Sequence, residues 1–349
     1  MSTNSKFSVF IGGFRPWHKG HGKIVREALR NSDHLIIVVG SNNRARNTRL
    51  PFTVDERIEL IRVGVSEFAD PSRVTITSCP DFVYDDTKWN AGVQKAVYTA
   101  MRTIDPTATD ADISLVGMQK DSTSYYLNNF PQWRKSISVD PEFHEDQIIS
   151  STTIRNKIFN GELDYQKLIQ KPVLDRIHEI MERNPSEWER LRRDWNYEQK
   201  YSSIYGKGPF VTCDACVVQA GHVLLIQRGS EYGEGLFALP GGFLNLNEKI
   251  ENGVFRELRE ETRLKVPEKV LRGCVTERRV FDDPYRSNRA RIITHAYKIE
   301  LNNDPNGLPK VVGSDDAKKA MWIPISVIEE MQNKFFEDHF DILSELLNI

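Results

Sequence analysis

The stretch FSVFIGGFRPWHKGHGKIVREALRNSDHLIIVVG, residues 7–40, decides the fold of the N-terminal half. FSVFI at 7–11 is a short apolar run of strand length that ends at two glycines. Beyond the loop, Ile24, Val25, Ala28 and Leu29 recur at helical spacing, and LIIVVG at 35–40 reads as a second buried strand. Strand, glycine-rich turn, helix and strand make a βαβ unit, whose crossover is right-handed. The alternation continues outward. VTITS at 74–78 is a strand, TKWNAGVQKAVYTAMRTI at 87–104 an amphipathic helix and ISLVG at 113–117 another strand. This order predicts a doubly wound α/β domain.

The turn inside the βαβ unit carries the chemistry. His18-Lys19-Gly20-His21 stands where the first strand ends and the first helix begins. A helix N-terminus offers unpaired N–H groups and a positive dipole end, which together bind phosphate. Two imidazoles three residues apart in that turn can both donate to phosphate oxygens. Gly12, Gly13 and Gly20, around Phe14 and Arg15, let the backbone come close to a ligand. No nucleophile is implied; the arrangement suits in-line attack at phosphorus with charge stabilised by fixed donors. A second helix start, Ile149-Ser150-Ser151-Thr152-Thr153-Ile154-Arg155, presents hydroxyls and a cation able to grip the same phosphates. Plain N-capping is the alternative for its hydroxyls.

The rest of the chain divides in three. Residues 150–160 read as a helix, and Pro172 suits the first turn of another that runs to Met181. PSEWERLRRDWNYEQKYSSIYGKG at 185–208 is polar and nearly free of aliphatic residues; it is expected to be a linker, with a surface helix around Trp188 to Tyr197. The expected domains are therefore 1–184 and 209–349. After 209, VTCDACVV, HVLLIQR, VLRGCVTERRVF, ITHAYKIEL and AMWIPI are strand-like. Helices are expected at 248–262 and 325–347, so a mixed sheet in an α/β/α arrangement fits.

On the 248–262 helix, Glu257, Glu260 and Glu261 fall at i, i+3 and i+4 and share one arc. Carboxylates crowded in this way repel unless a cation lies between them, which points to a hard-metal site for Mg²⁺ or Mn²⁺. Such ions polarise a diphosphate and activate water. Glu248 precedes the helix and can orient Arg256.

These residues resemble known families. HxGH with Ile149–Arg155 resembles the nucleotidyltransferase superfamily. Within it, GGFRPWHKGH, PFTVDERIELI at 51–61 and VGMQKDSTSYYL at 116–127 are similar to the nicotinamide-mononucleotide adenylyltransferases of archaeal type. The resemblance covers most of residues 7–160. It implies a Rossmann-like nucleotidyltransferase domain that joins ATP to nicotinamide mononucleotide, giving NAD and pyrophosphate, with a divalent metal. It also implies catalytic roles for His18, His21 and Arg155, and substrate contacts from Gly12, Gly13, Phe14, Arg15, Ser151 and Thr152. Gly13 and Arg15 stand where the family usually has Arg and Gln, so Arg15 is expected to supply the basic side chain. Trp89 is a candidate to stack on a nicotinamide ring through a cation–π contact, with a core position as the alternative. Lys120, Asp121 and Ser122 are candidates for ribose or base contacts, or else solvated loop residues.

Gly242, Glu248, Arg256, Glu257, Glu260 and Glu261, with Leu258 and Leu264 in the aliphatic places, match the pattern Gx5Ex7REUxEExGU of the Nudix hydrolases. Arg263 replaces the glycine that normally ends that helix in a left-handed turn. The run of five arginines from Arg278 to Arg291 resembles the basic segment of ADP-ribose pyrophosphatases. The resemblance implies hydrolysis of ADP-ribose to AMP and ribose 5-phosphate, with Arg228, Gly242, Arg286 and Arg291 at the substrate and Glu261 catalytic. Asp315 or Asp316, in SDDA at 314–317, is a candidate to help the attacking water. Another nucleoside diphosphate substrate, or a non-catalytic ADP-ribose sensor, stays open at this point.

The bulk numbers agree with small-molecule partners. Lys plus Arg is 47 against 49 for Asp plus Glu, a net charge of -2, so neither nucleic acid nor a membrane surface is an expected partner. The N-terminus has no basic segment followed by a long apolar core, and four cysteines make no disulfide framework; the expectation is a cytoplasmic enzyme, with a homo-oligomer left open. Cys213 and Cys216 form a lone CxxC inside a strand, where a spacing of three puts the thiols on opposite faces. His295 reads as a structural mid-strand residue.

Overall fold

The structure, a computed structural model, describes residues 5–118 and 127–349. The chain divides into two compact units, Met1–Glu189 and Arg190–Ile349.

In the first unit the alternation read from the sequence is present. It runs β1 (Ser5–Gly12), α1 (Lys19–Asn31), β2 (Ser32–Val39), α2 (Val54–Ser66), β3 (Val74–Ser78), α3 (Asp86–Ile104), β4 (Ile113–Gly117) and β5 (Arg134–Ser138). The five strands are parallel, in the order β3-β2-β1-β4-β5. Strand order reverses between β1 and β4, and the crevice at their carboxyl ends is where ligands bind in such sheets. Phe7, Val9, Ile36 and Val38 pack against Val93 and Val97 of α3. Burial on both faces explains why β1 and β2 read as continuous apolar runs. A capping box starts α2: Glu56 N–H donates to Thr53 Oγ1 at 3.3 Å, and Thr53 N–H donates to the Glu56 carboxylate at 2.9 Å. A Cβ at Gly64 on α2 would lie 2.2 Å from Nε1 of the fully buried Trp17, so only glycine lets that indole in.

A short hairpin, β6 (Phe143–His144) with β7 (Gln147–Ile148), leads to α4 (Ser151–Asn160). Ser150 caps α4 by accepting the Thr153 N–H at 3.1 Å, and Gly161 ends it in the left-handed region. α5 (Lys171–Arg183) carries Pro172 in its first turn. Most of the polar stretch 185–208 is helical: α6 (Pro185–Tyr205), with Trp188 and Leu191 buried.

The second unit holds a seven-stranded mixed sheet. Its strands are β8 (Phe210–Gln219), β9 (His222–Arg228), β10 (Phe237–Ala238), β11 (Gly241–Phe243), β12 (Val275–Phe281), β13 (Ile292–Glu300) and β14 (Ala317–Pro324). β13 runs parallel to β8, and the other pairings are antiparallel. α7 (Ile250–Thr262) lays Val254, Phe255 and Leu258 on Cys213, Ala215 and Val217 of β8. Cys216, one step out of that register, is equally buried.

Two expectations need correction. Residues 270–273 are not strand but the end of a short helix, α8 (Glu268–Gly273), which starts after Pro267; Arg272 pairs with Glu268 one turn back at 2.7 Å. The closing helix is broken. Residues Ile325–Lys334 form tight 3₁₀ turns, Phe335 is extended, and only α9 (His339–Leu347) is α-helical. The break lets the Phe336 N–H reach the Phe237 carbonyl at 2.8 Å, and both Phe335 and Phe336 are buried.

Arg263 ends α7 at φ 48°. A side chain in the left-handed region costs about 1 kcal/mol relative to glycine. Arg263→Gly is therefore expected to stabilise the second unit by about that amount, seen as a rise in its thermal midpoint.

Candidate active sites

In the first unit the two helix starts converge. His18 is the N-cap of α1 and is buried. Its main-chain N–H donates to Nδ1 of His21 at 3.3 Å. With Nδ1 accepting, the proton of a neutral His21 is on Nε2, which leaves Nε2–H as a donor. The two imidazoles stack at 3.7 Å. Rings of Phe10, Phe14 and Trp17 surround His21 at 6.1, 4.9 and 5.4 Å. Burial among them, and then the charge His18 would carry, pushes the His21 pKa well below the usual imidazole value. Phe14 reaches this place at φ 49°, a left-handed residue at the tip of the glycine turn.

From the other side, Ser151 Oγ donates to the Pro16 carbonyl at 3.0 Å, and Arg155 donates to the Arg15 carbonyl at 2.9 Å and to Thr152 Oγ1 at 3.2 Å. Arg15 donates to Ser41 Oγ at 2.5 Å, and Ser41 donates to Asp81 at 2.7 Å. Gly12, Gly13, Phe14, Arg15, His18, His21, Ser151, Thr152 and Arg155 thus form one cluster. Trp89 lies near its α3 neighbours, half-buried and tilted against Phe130 at 6.1 Å. Lys120, Asp121 and Ser122 lie outside the described residues.

Sequence reasoning missed the residue that shapes this site. Arg57 on α2 is fully buried and donates to main-chain carbonyls: Gly13 at 2.9 Å, Ser41 at 2.8 Å, Thr53 at 3.3 Å, and Gly40. Burial, and then the Arg15 charge, lowers its pKa to about 9. Arg155 is lowered to about 9 by burial and by Arg15 and Arg49. Arg15 is lowered too, with Arg44 and Arg49 among the causes after burial. These mutually repelling cations, two of them from RARNTR at 44–49, make a place for a polyanion. Arg57 is the arginine of PFTVDERIELI at 51–61, and that family-like stretch was the available signal.

In the second unit the glutamates surround two glycines. Glu261, 3% exposed, accepts the Gly241 N–H at 2.8 Å. A Cβ at Gly242 would come within 2.6 Å of Glu257 Oε1, and one at Gly241 within 2.2 Å of Asp214 Oδ1. The strand β11 is therefore a cradle of bare backbone between buried carboxylates. Burial first, then Glu257 among its neighbours, raises Glu261 to about 8. Burial raises Glu257 as well, and Asp214 to about 6. Arg256 gathers Glu248 at 2.8 Å, Glu257 at 2.7 Å and Glu260 at 2.9 Å. With the side chains so turned, no three acidic, His or Cys groups among the described residues converge on one metal position. The donor set still fits a hard divalent cation: it is all-oxygen, with Glu257 and Glu261 buried and Glu260 at the solvent edge.

Arg228 lies in the field of Glu261. The 311–316 loop is tied to the end of α7 by Val312 N–H to the Thr262 carbonyl at 2.9 Å and Ser314 N–H to the Glu261 carbonyl at 3.1 Å, and Asp315 faces Glu257 electrostatically. Two expected substrate arginines turn elsewhere. Arg286 makes a buried bidentate pair with Asp338, both bonds 2.8 Å, which anchors the start of α9. Arg291 turns to Asp282. Arg289, from the same basic run, instead lies within 5.0 Å of Tyr232 and 5.6 Å of Phe243.

Two tests follow from the first cluster. Because the folded pKa of His21 is depressed, its stability contribution is complete above about pH 6.5 and is lost as pH falls below that value. Its imidazole resonances in an NMR titration should therefore show no protonation between pH 8 and 6. Arg57→Met leaves several buried carbonyls without donors and should destabilise the first unit by about 3 kcal/mol or more, measured by denaturant unfolding.

Comparison with known proteins places both clusters in families. A Cytidylyltransferase-like domain matches residues 9–157, and a NUDIX domain matches residues 209–346. The Nicotinamide/nicotinic acid mononucleotide adenylyltransferase of Acinetobacter baylyi is 33% identical over 47% of this chain and 92% of its own length. The ADP-ribose pyrophosphatase of Methanocaldococcus jannaschii is 30% identical over 40% of this chain and 73% of its own. The crystal structure of a bifunctional NMN adenylyltransferase/ADP ribose pyrophosphatase from Francisella tularensis, complexed with AMP and a Mn ion, superposes with a TM-score of 0.87 at 32% identity over 99% of both chains. With relatives of both halves at this identity and a solved relative of the same length, the chain belongs to the family of bifunctional nicotinamide-nucleotide adenylyltransferase/NUDIX hydrolases.

Proposed function

We propose that the first unit transfers AMP from ATP to nicotinamide mononucleotide, giving NAD and pyrophosphate, and that the second hydrolyses ADP-ribose to AMP and ribose 5-phosphate. The observation that carries the first activity is the convergence of the α1 and α4 N-termini on the glycine turn, with cations and a neutral Nε2–H donor. His18 and His21 donate to the phosphates of ATP. Arg15, Arg44, Arg49 and Arg155 offset the charge of the triphosphate and of the pyrophosphate that leaves. The phosphate oxygen of nicotinamide mononucleotide then attacks the α-phosphorus in line. Half-buried Trp89 is the candidate to stack on the nicotinamide ring.

The observation that carries the second activity is the buried carboxylate set around Gly241 and Gly242. Glu257, Glu260 and Glu261 would hold Mg²⁺ or Mn²⁺. Such an ion, when bound, polarises the diphosphate and lowers the pKa of water. Arg228 binds a diphosphate oxygen, Gly242 lets the phosphate approach the backbone, and Glu261 or Asp315 takes the proton of the attacking water. The full set of glutamates favours catalysis over a sensor. All four cysteines are free thiols, which suits the cytoplasm.

The two activities should separate by mutation. His21→Ala is expected to lower NAD formation by about 10²–10⁴-fold and leave AMP release from ADP-ribose unchanged; Glu261→Gln should do the reverse. Product analysis by chromatography with Mg²⁺ or Mn²⁺ reads both, and loss of both activities in either variant would refute the two-site assignment.

A further inference from the structure

Helix α6 begins ahead of the NUDIX match at 209–346, yet its side chains reach the end of the second unit where the carboxylates lie. Asp194, 3% exposed, accepts the Gly233 N–H at 3.1 Å from the loop between β9 and β10. Glu198, equally buried, accepts the Tyr232 hydroxyl at 3.2 Å. Tyr197 stacks on the Tyr232 ring at 5.2 Å, and Tyr201 lies against Phe243, next to Gly242, at 6.2 Å.

The loop held in this way carries the acceptors that aim Arg228. Arg228 Nε donates to the Tyr232 carbonyl at 3.1 Å, and its outer nitrogen donates to Ser230 Oγ at 2.8 Å. The loop has little freedom to do otherwise. Gly233 sits at φ 68°, and a Cβ there would lie 2.5 Å from the Phe336 ring. Arg289 meets the same group, with Tyr201 at 6.0 Å and Glu337 at 3.4 Å. Arg228 and Arg289 repel one another, so their shared position depends on the carboxylates and rings around them. A helix that only connects two domains needs no buried carboxylates pointed at a loop of the second.

We propose that α6 is a working part of the hydrolase site, in which Asp194 and Glu198 position Arg228 and Arg289, through the 229–236 loop, to hold the diphosphate of the substrate. They are positioning residues, because they act through the arginines. The inference rests on the ADP-ribose reading above and adds residues that the NUDIX match leaves out.

The test is steady-state hydrolysis of ADP-ribose with Mn²⁺ by the full-length chain. Asp194→Ala should raise KM about tenfold and leave kcat within about threefold, because uniform binding of the diphosphate is what weakens. Asp194→Asn keeps an acceptor oxygen for Gly233 and should restore most of the affinity. Tyr232→Phe, which deletes the hydroxyl shared by Glu198 at 3.2 Å and Glu337 at 3.4 Å, is the milder variant should Asp194→Ala fold poorly; its KM should rise about threefold, and Glu198→Gln, which leaves Glu337 in place, should do the same. NAD formation by the same preparations reports an intact first unit. Wild-type hydrolysis with KM unchanged in Asp194→Ala and Tyr232→Phe overturns this inference alone. Absence of AMP release by the wild-type chain overturns the substrate reading, and this inference with it.

Discussion

A buried guanidinium bonded to main-chain carbonyls is the constraint on which the first unit's chemistry depends. Arg57 spans the carboxyl ends of β1 and β2, donating to Gly13, Gly40 and Ser41. Without it, carbonyls at the carboxyl ends of β1 and β2 would be buried with no donor, at a cost of about 1–3 kcal/mol each. With it, the glycine turn is held open in the one conformation that stacks His18 on His21 and lets Arg155 and Ser151 bond to the turn's carbonyls. The same charge also biases the site. After burial, the Arg15 charge lowers the pKa of Arg57, and Arg44 and Arg49 lower that of Arg15, an imbalance that a polyphosphate cancels.

The second unit poses the opposite problem. Glu257, Glu261 and Asp214 are buried around two glycines, and burial raises the pKa of each. A divalent ion relieves that strain in the way a triphosphate relieves the first unit's. The chain's net charge of -2 conceals these two opposed local imbalances. Each is the trace of a ligand of the other sign.

What was legible in the sequence was whatever depends on local periodicity and fixed spacing. The HxGH turn, the α4 start and the α7 glutamates each lie within a dozen or so consecutive residues, and the βαβ unit is one unbroken stretch, 7–40, so pattern alone locates them. What escaped depends on distance. Arg57 lies in the family-like stretch PFTVDERIELI, but nothing local marks its role; its carbonyl partners are up to 44 residues away. Arg286 and Arg289 stand three apart in one basic run, yet Asp338 claims the first and an aromatic group the second. The broken C-terminal helix had the same cause. Helical periodicity over 325–347 is real, but the bond from Phe336 to Phe237 and the Arg286–Asp338 pair outweigh it. The polar stretch 185–208 lacks aliphatic residues because Asp194, Tyr197, Glu198 and Tyr201 satisfy polar and aromatic partners instead of packing a hydrophobic stripe.

The proposed pair of activities places a particular demand on the second site. NAD contains the whole of ADP-ribose, diphosphate and adenine included, and differs only by the nicotinamide on the terminal ribose. Arginines that grip a diphosphate hold both molecules equally, so Arg228 and Arg289 cannot by themselves spare the product of the first unit. Rejection has to come from the far end of the substrate, where a site excludes the larger molecule by steric clash more strongly than it can reject a smaller one through lost contacts. A clash discriminates only if the walls do not give way.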